Sequence, residues 1–216
     1  MSFYRKRIRQ FYYNLFSSFY DAFIKAHSGD RAQRLRKWLI DKAELKAGMK
    51  VLDLCTGTGS VAITAKRAVG KDGLVAGVDF SYGMLKKAKE KSRHSHTHIF
   101  WIQADVTALP FKDSSFDAVF CAYGFYELKD DDKIKMIKEV LRVLAEKGRF
   151  FMMEHEEPEN PFIRFLYRLR LITMGSLSSK DFIKKELQLI SRFFKEVKKE
   201  KSISGNSKLI IAAKEN

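Results

Sequence analysis

Three apolar runs in this chain each lead to an aspartate, and the loop after the first run carries two glycines. The runs are VLDLCTGTG at residues 51–59, LVAGVD closing on Asp79, and residues 97–104 leading to Asp105. The first passes from apolar residues and an acid into a small-residue turn and then a second apolar run, the pattern of a buried strand feeding a tight loop and a helix. Gly57 and Gly59 lack Cβ atoms, so the backbone there can turn sharply and present its amides to a ligand at close range. Asp53 stands on the strand itself, just before the loop. A carboxylate there repels a pyrophosphate and suits a nucleotide-like ligand bearing an ammonium or sulfonium. S-adenosylmethionine meets that requirement better than a dinucleotide.

The same alternation organises residues 50–154. Strands are predicted at 50–54, 74–79, 97–104, 116–122 and 148–154, and helices at 60–69, from the Ser81 cap through Met84, Leu85 and Ala88, and at 130–145. Strands alternating with helices imply right-handed crossovers and a parallel sheet that binds its ligand at the carboxyl ends of the strands. Asp79 follows the glycine loop by about twenty residues, the separation at which a strand-end carboxylate accepts both ribose hydroxyls. Asp105, one strand further out, is placed to meet the exocyclic amino group of an adenine.

Composition bounds the rest. A chain of 216 residues, 45% hydrophobic, can bury one core, so a single α/β domain is expected. Its formal charge of +15 draws polyanions or anionic lipid to the surface, unless the lysines serve only to solubilise. Two cysteines, Cys55 and Cys121, are too few for a disulfide framework and point to a reducing cytoplasm. Residues 3–26 place Phe3, Ile8, Phe11, Tyr12, Leu15, Phe16, Phe19 and Tyr20 at helical spacing beside Arg5, Arg7 and Arg9, a basic amphipathic helix. It is read as a lid over the crevice or as an anchor on an anionic membrane surface. A second helix is expected over 31–44, and residues 161–174 repeat the basic amphipathic pattern. A helix at 179–192, a strand at 193–203 and a last strand, KLIIAAK, close the chain. The organisation expected is thus a lid at 1–46, a cofactor core at 47–155 and substrate-side helices with terminal strands at 156–216. His94, His96 and His98 would share one face of an extended strand, yet lie too far from the crevice for a metal site to be expected.

With these stretches in hand, VLDLCTGTG, GVDFSYGML, QADVTALPF and FDAVFCAYGFYEL resemble the successive motifs of class I S-adenosylmethionine-dependent methyltransferases over residues 45–155. Tyr20-Asp21, ALPF and EVLRVLAEKGRF are similar to the ubiquinone and menaquinone biosynthesis (UbiE-like) C-methyltransferase branch. The resemblance implies a Rossmann-like, seven-stranded, mostly parallel sheet with a C-terminal antiparallel hairpin, helices on both faces and an N-terminal helical lid. By the same resemblance Asp79 binds ribose, Asp105 and Val106 bind adenine, Met84 packs on the adenine face, and Gly57 and Gly59 flank the methionine moiety. Tyr20 closes over the cofactor, while Asp53, Cys55, Phe80 and Ala122 complete the set. Cys55 stands where many relatives carry glycine. S-adenosylhomocysteine is the implied product.

The acceptor side departs from that branch. Gly124-Phe125-Tyr126-Glu127 replaces a run with arginine and asparagine, and Glu154-His155-Glu156-Glu157-Pro158-Glu159 reads as an acidic lip. Methyl transfer from a sulfonium is an in-line displacement, so the protein aligns the reactants, excludes water and removes a proton where the nucleophile carries one; no metal is required. Tyr123 and Tyr126 offer aromatic faces or hydroxyls, and Glu127, His155 or Glu154 offers a proton acceptor. The expected function is methyl transfer to a small amphipathic or lipid-like acceptor. The alternatives are N-methylation of an amine-bearing lipid or metabolite, C-methylation of a quinone precursor, and a non-catalytic cofactor-binding or membrane-surface role. Nucleic acid is not expected as substrate, because AYGF replaces the proline-aromatic run that grips a flipped base amine. A cytoplasmic protein, peripheral to the inner face of the membrane, is the expected setting.

Overall fold

The computed structural model describes residues 34–156, 182–202, 205 and 207–214. Tyr20, the basic stripe of residues 3–26 and the run at 161–174 lie outside them. In chain order the elements are α1 (Arg34–Ala43), β1 (Lys50–Leu54), α2 (Ser60–Val69), β2 (Leu74–Asp79), α3 (Tyr82–His94), β3 (Phe100–Gln103), β4 (Phe116–Ala122), a 3-10 turn (Phe125–Glu127), α4 (Asp130–Val143), β5 (Leu144–His155), α5 (Phe182–Ile190), β6 (Glu196–Lys201) and β7 (Ser207–Ala213).

The strands form one seven-stranded sheet in the order β3-β2-β1-β4-β5-β7-β6. The first five run parallel, whereas β7 lies antiparallel to both β5 and β6. This is the Rossmann-like sheet with an antiparallel C-terminal pair that the motifs implied. The chain winds outward from β1 in one direction through β2 and β3, then restarts at β4 and winds the other way. The order reverses between β1 and β4, so a crevice opens at their carboxyl ends, where such sheets take their ligands.

Residues alternate along each strand between two cores. On one face Leu52, Leu54, Val119, Cys121, Phe150 and Met152 pack under Met136, Ile137 and Val140 of α4 and Ile190 of α5. On the other, Val51, Val75, Phe120, Phe151 and Met153 meet Leu39 and Ala43 of α1 and Ala62 and Ala65 of α2. Phe120 and Phe151 stack with ring centroids 5.0 Å apart on neighbouring strands. Each such side chain contributes about 1.5–3 kcal/mol on burial, which fixes the register of the strand ends above them. Helix starts are set locally. The Ser81 hydroxyl accepts from the Met84 amide to cap α3, and Asp130, Asp131 and Asp132 complement the amino end of α4.

Several element boundaries differ from expectation: α4 ends at Val143 rather than 145, α5 at Ile190 rather than 192, and β6 begins at Glu196 rather than 193. β3 begins at Phe100, because the Thr97 amide turns back to the Ser92 carbonyl at 3.0 Å and His96 adopts φ 52°. The three histidines therefore share no strand face: His94 ends α3, His96 sits in the turn, and His98 meets the edge of Phe100. No cluster of three metal-ligating residues occurs among the described residues. β5 begins at Leu144 rather than 148, since Leu144 pairs with Phe116 before an irregularity shifts the register to Ala118 with Arg149. No described helix is long and apolar enough to cross a membrane.

Candidate active site

The crevice is built by the chain's exits from β1 and β4. Each strand is followed at once by a non-glycine residue of left-handed backbone, Cys55 at φ 52° and Tyr123 at φ 56°. Such conformations are costly for side chains with a Cβ and cluster at functional sites. The two exits touch. A Cβ on Gly124 would stand 2.3 Å from the Cys55 Cβ and 2.9 Å from its Sγ, so only glycine lets the loops close. Hydrogen bonding between the thiols of Cys121 and Cys55, together with burial, pushes the Cys121 thiol up, which makes it an inert packing group.

Asp53 is tied into the base of the glycine loop. Its side chain is buried, and Oδ2 accepts from the Thr56 hydroxyl and from the Ala62 amide in the first turn of α2. It clamps the glycine loop to its helix. Burial pushes its carboxyl up to about 7, with the Thr56 and Ala62 hydrogen bonds acting in the opposite direction. At 1% exposure Asp53 is engaged with the loop and with the helix that follows it, a clamp the sequence reading did not anticipate.

Asp79 is the acid that reaches the loop from the neighbouring strand. Oδ2 accepts from the Gly57 amide at 2.9 Å, and Oδ1 from the Ser81 amide at 2.9 Å. The two glycines divide the work. Gly57 (φ 54°) has open space where a Cβ would stand, which leaves its backbone approachable. Gly59 (φ 78°) has the Trp101 ring 2.4 Å and Ala88 3.0 Å from that position, so its missing side chain serves the packing of α2 against β3 and α3. Trp101 also covers Gly77 and donates from its indole to Ser92. The sequence reading overlooked this tryptophan; no local pattern marks the floor of a loop forty residues away.

Asp105 follows β3 and is half-buried; its Oδ1 accepts from the amide and hydroxyl of Thr107. Val106 and Met84 are buried beside it in sequence and at the start of α3 respectively, while Phe80 is half-buried and its carbonyl accepts from Gln103. Ala122, the last residue of β4, pairs with Met153.

The acceptor-side residues do come together. The His155 ring lies 4.7 Å from that of Tyr123 and 5.9 Å from that of Tyr126. The Tyr126 hydroxyl donates to Glu127 at 3.2 Å, and the Tyr123 hydroxyl meets that of Ser207 at 2.8 Å. This leaves two phenols, an imidazole and a carboxylate at the end of β4, beside the glycine loop. Ser207 could not be anticipated, since the β5–β7 register alone brings it opposite His155.

Two acids of the run read as an acidic lip, Glu154 and Glu156, are engaged within the protein. Glu154 is buried, and its Oε1 accepts from the Phe125 and Tyr126 amides at 2.9 and 3.4 Å. Burial and the nearby Glu186 hold its carboxyl well above the usual range, with the two amides and Lys208 pulling the other way. Glu156 is paired with Lys199 at 2.7 Å. Glu157, Pro158 and Glu159 lie outside the described residues. A separate cavity of about 470 Å³, lined by Lys46, Met49, Asp117 and Arg149 among others, opens at the opposite, amino end of the strands and has no part in this crevice.

The chain is similar to known proteins in sequence and in fold. The ubiE/COQ5 methyltransferase family matches over residues 4–198. A 2-phytyl-1,4-naphtoquinone methyltransferase from Nostoc punctiforme is 39% identical over 128 residues, which cover 58% of this chain and 55% of that protein's length. A demethylmenaquinone methyltransferase from Thermus thermophilus is 36% identical over 168 residues, covering 76% and 74%. Among solved structures, a SAM dependent methyltransferase from Aquifex aeolicus superposes with a TM-score of 0.60 at 19% identity, over 82% of this chain and 88% of that one, and shares the fold.

Proposed function

The chain belongs to the ubiE/COQ5 methyltransferase family, and on that premise we propose that it transfers a methyl group from S-adenosylmethionine to a ring carbon of a reduced quinone precursor. The observation that carries this reading is the junction of two half-sites at the carboxyl ends of β1 and β4. One is the glycine loop held by Asp79, and the other the Tyr123, Tyr126, Glu127 and His155 cluster. The residues fit the cofactor: Gly57 leaves an open cradle, with Asp79 and Asp105 at successive strand ends for ribose and adenine. When bound, S-adenosylmethionine supplies a methyl group on a sulfonium, whose carbon–sulfur bond breaks with its electron pair left on sulfur.

The chain's own residues meet the remaining demands. A hydroquinone ring is electron-rich beside its hydroxyls, so the carbon needs orientation more than activation. Tyr123 and Tyr126 supply aromatic walls, and burial of the loops behind them keeps water out. Once the ring carbon has gained the methyl group it must lose its proton; His155, with Glu127 nearby, is the group suited to take it at neutral pH. An amphipathic quinol also agrees with the lipid-like acceptor read from the sequence. N-methylation of an amine rested on an acidic lip and on the tyrosine faces, and with Glu154 buried and Glu156 paired two of the lip's acids are already engaged.

The test is direct. Purified protein incubated with labelled cofactor and a short-chain 2-demethylmenaquinol kept reduced is expected to give a product carrying the methyl group on the ring carbon. Labelled product found instead on an amine from a lipid extract would replace the quinol reading.

A further inference from the structure

The acceptor turn rests on a group that neither the motifs nor the proton-transfer chemistry requires. Glu154 is 1% exposed, one Oε is spent on the Phe125 and Tyr126 amides, and Oε2 has no hydrogen-bond partner among the described residues. A buried carboxyl oxygen without a partner is destabilising, so its presence asks for an explanation. Its surroundings are also ionic. Lys208 lies directly opposite Glu154 in the antiparallel β5–β7 register and pairs with Glu186 of α5, both partners being 1% exposed. Directly opposed residues project to the same face of a sheet, which sets the Glu154 carboxyl beside that ion pair. Lys133 of α4, also buried, is bound to Asp130 on its own helix.

We propose that Glu154 is a positioning residue. It fixes the backbone of the Phe125–Glu127 turn, and so the places of Tyr126 and Glu127, while the Lys208–Glu186 pair fixes Glu154 from behind. Within the turn the Leu128 amide closes on the Phe125 carbonyl, and on the strand before it the Tyr123 amide is tied to Met153. Through this relay the seating of α5 against β7 sets the geometry of the acceptor side, whereas the glycine loop is held by its own acids, Asp53 and Asp79, and meets the acceptor side where Gly124 packs against Cys55. The consequence for acceptor binding rests on the methyltransferase reading above; the consequence for the backbone does not.

The full chain carrying Glu154→Ala or Glu154→Gln is compared with the wild type by amide hydrogen exchange, by calorimetric S-adenosylmethionine binding and by methyl transfer to short-chain demethylmenaquinol. In E154A, exchange at Phe125 and Tyr126 is expected to quicken about tenfold or more, with Val119 and Phe120 of β4 unchanged. The acceptor KM should rise about tenfold while cofactor Kd stays within about twofold. Gln keeps an oxygen for the two amides, so E154Q should restore both exchange and KM. Unchanged exchange in E154A overturns the proposal, as does an E154Q protein that behaves like E154A, or a KM and a Kd that shift together. A wild type inactive on the quinol, with the exchange pattern as expected, sinks the quinol reading and leaves the role of Glu154 standing.

Discussion

The two halves of the crevice are assembled by different means. On the cofactor side each acid works over a short span or onto a neighbouring strand through backbone amides: Asp53 to Ala62, Asp79 to Gly57 and Ser81, Asp105 to Thr107. On the acceptor side the supports come from the far end of the chain. Glu154 holds a turn 28 and 29 residues earlier, Tyr123 meets Ser207, and the ion pair behind them joins Glu186 to Lys208. A local frame suits a donor whose shape never changes. A frame hung on an inserted antiparallel strand and a separate helix lets the acceptor pocket differ without disturbing the donor loop.

That contrast is open to attack at several points. The largest effect is expected from Lys208→Met, which strands the buried Glu186 carboxylate and should cost about 3–5 kcal/mol in urea unfolding, while the Glu186→Gln, Lys208→Met double variant regains most of it. A single variant of wild-type stability would show that the acceptor half does not depend on buried charge. Next is Gly59→Ala, whose Cβ would meet Trp101 and whose φ is 78°; a loss of about 3 kcal/mol is expected. Gly57→Ala, by contrast, meets open space and should cost about 1 kcal/mol in stability, with the change read mainly in cofactor affinity. Asp79→Ala should weaken cofactor binding by about 2–3 kcal/mol, because it frees both the Gly57 amide and the ribose site, and calorimetry measures it.

A further effect is a slope with pH. Asp53 is pushed up to about 7, so its contribution to stability is complete below about pH 4 and is lost as pH rises toward 7. The slope from one proton is at most about 1.4 kcal/mol per pH unit, and Asp53→Asn should remove it from the unfolding curve. A pH profile identical in the two proteins would mean that Asp53 titrates alike in the folded and the unfolded chain, so that burial does not shift it.

The same contrast governs what the sequence disclosed. The β1 and β4 limits, the Ser81 cap and the strand-end acids were legible, because each is written in adjacent residues obeying a period or a turn rule. The same legibility reached less far at Asp53 and Glu154. Position on a strand was read correctly, but the direction of the side chain depends on what packs over it, and both acids turned inward onto amides. Nothing local foretold Trp101 beneath Gly59 and Gly77, nor the pairing of Glu154 with Lys208, which follows only from the register of β5 against β7. The histidine face failed for a similar reason: the α3 cap consumed the residues that an extended strand would have used.

The central claim is that one crevice joins a sulfonium donor to a reduced quinone ring. The measurement that reaches it most directly is mass spectrometry of the product formed from methyl-labelled S-adenosylmethionine and short-chain demethylmenaquinol under reducing conditions, with Asp79→Ala as the control. The account predicts a single label on the ring carbon in the wild type and a large loss in the variant. A protein that binds the cofactor yet leaves the quinol ring unlabelled would contradict it.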